Sequence, residues 1–101
     1  MSATSHIPLE LALERCTEAL EAARAGGWLR VEELVAERDK HLALGHPKDD
    51  RSLVIVQLLL QRNAELMALT AEAQGAVAQR LQQQKYSHRA LSAYISSSEE
   101  A

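Results

Sequence analysis

Four histidines and one cysteine are the residues here whose types suit acid–base, metal or thiol chemistry. Such sites need ligands that converge. His6, His41, His46 and His88 fall in separate segments, with no His-x-x-x-His pair and no neighbouring cysteine. They read as exposed or helix-end histidines. Cys16 lies on an apolar line and reads as a small buried hydrophobe, with a reactive thiol as the alternative. Asp49 and Asp50 could pair as acid and base, but capping a following helix explains them more simply. Gly26-Gly27 is no phosphate cradle, because no strand precedes it and no Lys-Ser/Thr follows. It is a helix stop. These patterns point to no enzyme, no metal and no cofactor.

The charged rows allow two readings each. Glu10, Glu14, Glu18 and Glu21 form either a solvated face or a patch for a basic partner. Arg80, Lys85, His88 and Arg89 suit the negative end of a helix, or contact an acidic partner. Trp28 packs over the corner between two helices or anchors an interface. Asn63 interrupts an apolar stripe, where a lone Asn sets helix register or oligomer state, unless it is simply exposed.

The elements that must position these residues are helices. Leu9, Leu13, Cys16, Leu20 and Ala23 alternate steps of four and three, which predicts a first helix over about Ile7 to Arg24. Ser5 is its candidate N-cap, and Pro8 falls in the first turn. A second helix, about Trp28 to Leu44, puts Val31, Leu34, Val35 and Leu42 on one face. Gly45 and Pro47 end it. A third helix runs from about Ser52 to Gln84 and is apolar almost all round at its start, Leu53 to Leu60. A helix apolar on every side needs cover on every side. Gly75 marks a bend or a close approach. Ser87 caps a short tail helix carrying Leu91, Tyr94 and Ile95, and residues 96–101 read as a disordered tail.

The expected fold is all-α: an antiparallel three-helix bundle, with a long third helix and a short C-terminal helical tail, in one domain over residues 1–95. Short loops make neighbours antiparallel. The third helix should then overshoot the first over roughly Ala73 to Gln84, leaving Val77 and Leu81 in need of cover.

Composition narrows the function classes. The chain has 101 residues, 47% apolar and only 3% aromatic, so its core is built from Leu, Val and Ala. The net charge of −3 offers no field for a nucleic acid backbone or an anionic membrane. The lone cysteine suits a reducing cytosol. Met1 to His6 has no signal-peptide pattern. Leu53 to Leu60 is far short of the roughly 20 residues that span a bilayer. The expected location is cytoplasmic.

The order of motifs resembles a known family. Ala25-Gly26-Gly27-Trp28 closes the first helix. Leu34-Val35-Ala36-Glu37-Arg38 follows, then Leu59-Leu60-Gln61-Arg62-Asn63-Ala64-Glu65-Leu66. Gln79-Arg80-Leu81, a stretch around Lys85, and Ala93-Tyr94 complete the series. Over roughly Leu9 to Ile95 the chain resembles the FliT family of flagellar export chaperones. The resemblance implies a small helical cytoplasmic chaperone that binds the filament cap protein FliD and hands it to the type III export apparatus. The family includes dimers, and some enteric relatives also restrain the regulator of flagellar genes. The short stretch after Tyr94 departs from longer members, whose C-terminal extension covers the client surface.

A chaperone of this kind needs a groove for an amphipathic helix rather than a catalytic group. Val31, Leu34, Val35, Leu42, Leu58, Leu59, Leu66 and Leu69 are the partner-binding candidates, with the client helix between the second and third helices. Leu59→Asp is then expected to abolish binding and spare helicity. Leu91, Tyr94 and Ile95 are expected to fold back over Val77 and Leu81. The alternatives are a homodimeric coiled-coil adaptor and a chaperone for a different flagellar substrate.

Overall fold

The computed structural model describes residues 5–100, and side chains from 5 to 93. The protein is all-α, with helices α1 (Ile7–Arg24), α2 (Trp28–Leu42) and α3 (Asp50–Glu100). It divides into two compact units, Met1–Thr70 and Ala71–Ala101.

In the first unit, local chemistry explains each boundary. Pro8 sits in the first turn of α1, where no backbone N–H is needed. The N-cap is His6, not Ser5: the Ser5 hydroxyl instead accepts a bond from the Ile7 N–H at 3.1 Å. At the other end Gly26 takes φ +80°. The Gly27 N–H then reaches the Ala22 carbonyl at 2.9 Å, and the Gly26 N–H reaches Ala23 at 3.1 Å. These two bonds form a Schellman stop, which requires a left-handed residue that glycine supplies without steric cost. α2 ends two residues earlier than expected, at Leu42, and Gly45 adopts no left-handed conformation. The Ala43 N–H bonds to Asp39 and the Leu44 N–H to His41, so the last turn closes on its own carbonyls. Asp49 rather than Asp50 caps α3, its Oδ1 accepting from the Ser52 N–H at 2.9 Å.

The core of this unit is two apolar clusters. One joins Leu9, Ala12 and Cys16 to Ile55 and Leu59. The other joins Ala19, Leu20 and Ala23 to Val31, Leu34 and Leu66, with Trp28 packed against it. Small residues on α1 bring helices close, and Leu9 and Leu34 are the largest side chains fully enclosed. Burying such a leucine contributes roughly 1.5–3 kcal/mol. Polar pairs follow the same order. His6 meets Asp49, Glu10 meets Arg51 and Arg24 meets Glu65. Across α2 and α3, Arg38 bonds to Asn63, and Val31, Leu34 and Leu66 share one cluster. The result is helical and bundle-like.

The second unit is a helical stretch. Ala73 is half-buried, and every side chain from 74 to 93 is exposed. The third helix does not stop near Gln84, and Ser87 does not start a new one: α3 is continuous to Glu100. Lys85, Tyr86 and Ser87 carry no helix breaker, and without glycine or proline nothing local ends the ladder. Residues 96–100, expected to be disordered, belong to the same helix by their backbone. Leu91 lies on the helix that carries Val77 and Leu81, and is 64% exposed, so it does not cover them. Tyr94 and Ile95, the other two residues of that cover, lie outside the described side chains.

By length and composition α3 also contains one stretch, within Asp50–Ala93, apolar enough to cross a membrane, of which 17% is buried. The expectation based on Leu53 to Leu60 counted only the uninterrupted run. Ala64, Leu66, Met67 and Leu69 extend it, although Arg62 and Glu65 fall among them. A core helix passes the same test.

Candidate helix-binding cleft

The backbone of α2 puts Val31, Leu34 and Arg38 on one line by steps of three and four. The first two are core. Arg38 is therefore carried inward too, and its side chain is only 13% exposed. Its aliphatic stem suits that place, while its guanidinium must find partners. Nη1 donates to Asn63 Oδ1 at 2.8 Å, and Nε donates to Asp39 Oδ1 at 3.1 Å. The Cys16 Sγ lies 3.8 Å from Nη1. Asn63 Nδ2 in turn approaches Met67 Sδ at 3.6 Å. Asn63 is thus committed to joining α2 to α3.

One turn further along α2 the packing opens. A cleft of about 200 Å³ lies between α2 and α3, lined by Arg38, Leu42, Val56, Leu59, Leu60 and Asn63. Leu59 is 7% exposed and belongs to the core. Leu42 at 38% and Leu60 at 65% stand in solvent on either side. Pockets for small organic ligands usually enclose about 300–1,000 Å³. This one is smaller. Its polar edge is the Arg38–Asn63 pair.

The sequence-derived candidates divide sharply. Leu42 and Leu59 line the cleft. Val31, Leu34 and Leu66 are core residues, between 2% and 6% exposed. Val35 and Leu69 are half-buried against the same cluster. Leu58 is half-buried and does not line the cleft. Periodicity located the apolar faces of α2 and α3, but those faces are used mainly against each other and α1. Leu59→Asp is also the wrong probe, because it would put a charge into the core and unfold the protein. The residues missed were Arg38, Val56, Leu60 and Asn63 as a set. The signal for Arg38 was its place in the Val31–Leu34 line.

The other polar residues serve the fold. Of the acidic row, Glu10 pairs with Arg51, and Glu18 pairs with Arg15 at 2.8 Å. Arg15 also bridges to Glu37 on α2 at 3.0 Å. The Ser52 backbone N–H and then His6 hold the Asp49 carboxyl down at about 2. Among the described residues no group of three His, Cys, Asp or Glu side chains could hold a metal ion.

No family model, curated protein or solved structure matches the chain.

Proposed function

We propose that this protein is a helix-binding chaperone of the flagellar export kind. In this reading residues 5–70 form an antiparallel three-helix bundle, with α2 opposed to α1 and α3. The cleft between α2 and α3 receives an apolar side chain from a client's amphipathic helix. The observation that carries the reading is the pairing of a closed core with an apolar opening between α2 and α3, flanked by exposed Leu42 and Leu60. Binding through aliphatic anchors spaced along a helix uses such an opening, and needs no catalytic group.

The order of motifs that resembles the FliT family makes the terminal helix of the filament cap protein FliD the proposed client. Cytoplasmic residence, delivery to the type III export apparatus and a part in flagellar gene regulation belong to the same proposal. The chain is then no enzyme. The test is calorimetric titration of the full chain with the C-terminal segment of the cap protein from the same organism. Leu60→Asp and Leu42→Asp are expected to weaken binding at least about tenfold, near 1.4 kcal/mol, without loss of far-UV helicity. Unaltered binding in both variants removes the cleft from the proposal, and no binding by the unmodified chain removes the client.

The rival is a homodimeric adaptor. It is favoured by the exposed Val77, Leu81 and Leu91 of α3. Binding to the cap protein's terminal segment separates the two: an adaptor shows no preference for it.

A further inference from the structure

The second unit poses its own question. Helices gain most of their stability by packing an apolar face. Here Val77 and Leu81 are each 53% exposed and Leu91 is 64% exposed. With Gln84 and His88 they fall on one line, Val77, Leu81, Gln84, His88 and Leu91, by steps of four and three. That repeat is the seam of a two-stranded coiled coil. Gly75 weakens the same stretch by about 1 kcal/mol relative to alanine.

Flanking charge selects the occupant. Residues 73–98 contain Arg80, Lys85 and Arg89 and no aspartate or glutamate. Arg80 and Lys85 occupy the two positions that border the seam, where partner helices exchange charges. In a parallel pair of copies, Arg80 of each would face Lys85 of the other. An antiparallel pair brings no acidic residue to the seam either, since none exists over these positions. A second copy that pairs through this same stretch therefore meets like charge or none. We propose that this face of α3 docks an amphipathic helix of another protein, with aliphatic residues at its seam and Glu or Asp on both flanks. The narrow stripe, interrupted by Gln84 and His88, fits a helix better than a lipid surface, which takes a broader apolar face. The proposal does not depend on the cleft or its client.

The full chain is titrated with a synthetic helix of about four heptads carrying Leu at both seam positions and Glu on both flanks, and with the same helix carrying Lys. The Glu helix is expected to bind at least about tenfold tighter, by an amount that shrinks as salt rises. The double variant Arg80→Glu/Lys85→Glu is expected to reverse the preference, and Leu81→Gln to weaken both. Equal affinity for the two helices, or none for either, overturns the proposal. So does a concentration-dependent dimer of the chain that Leu81→Gln dissolves and the charge reversal leaves intact. Binding to phosphatidylglycerol vesicles with the Glu helix left unbound assigns the face to a membrane and overturns it as well.

Discussion

Both parts of α3 place apolar residues at helical spacing, and their fates are opposite. Over residues 52–66 the helix buries Ser52, Ile55, Leu59 and Leu66. Over residues 74–93 it buries no described side chain, although Val77, Leu81 and Leu91 recur at comparable spacing. Apolar periodicity is thus a statement about demand for cover. Supply comes from elsewhere: α1 and α2 provide it to the first part, and no described residue provides it to the second. The composition of α1 matters here, because Ala12, Ala19 and Ala23 let a neighbouring helix approach closely.

The contrast is sharpest between a core leucine and an exposed one. Leu34→Ala in the core is expected to destabilise the protein by about 2–5 kcal/mol, while Leu81→Ala changes stability by no more than about 0.5 kcal/mol. Urea denaturation of both variants checks the pair. Equal losses would mean that the second region is buried in solution. The same comparison holds for arginines. Arg38→Ala strands the half-buried Asn63 carbonyl and is expected to cost about 1–3 kcal/mol, whereas Arg80→Ala is expected to be neutral. Brief trypsin digestion gives a third view: cleavage after Arg80, Lys85 and Arg89 should precede any cut at Arg15 or Arg38. Early loss of the α1–α2 region instead would reverse the ranking of the two units.

The smallest effect concerns the start of α3. The Asp49 carboxyl is held at about 2, below its ordinary 3.8, by the Ser52 N–H and by His6. A carboxyl depressed on folding stabilises above its unfolded value, and this contribution disappears as pH falls through the folded one. Asp49→Ala should therefore lower the melting temperature at pH 5–7, and the difference from the unmodified chain should fade between about pH 4 and 2. A difference independent of pH would remove the charged cap as its cause.

Much of the first unit was legible in the residues because its signals are local. Gly26 at φ +80° and the Asp49 cap each depend on a few neighbouring atoms. Both bounds of α1 coincide with those expected from its apolar steps. Two features escaped. Ser87 looked like a cap, yet a serine caps only where the chain already leaves the helix, and nothing there makes it leave. Leu59 and Leu60 are chemically identical neighbours that both line the cleft, and one is core while the other stands in solvent.

Sequence alone determined that this protein is helical, where α1 ends and which faces of its helices are apolar, because backbone propensity, glycine conformation and side-chain spacing are short-range properties. Only the tertiary structure decided which leucines close the core, that Arg38 turns inward to Asn63, and that a cleft opens beside Leu42. Those outcomes depend on how neighbouring helices fill the space between them. A rotation of about 100° around a helix, one residue, is enough to move a leucine from the core to solvent.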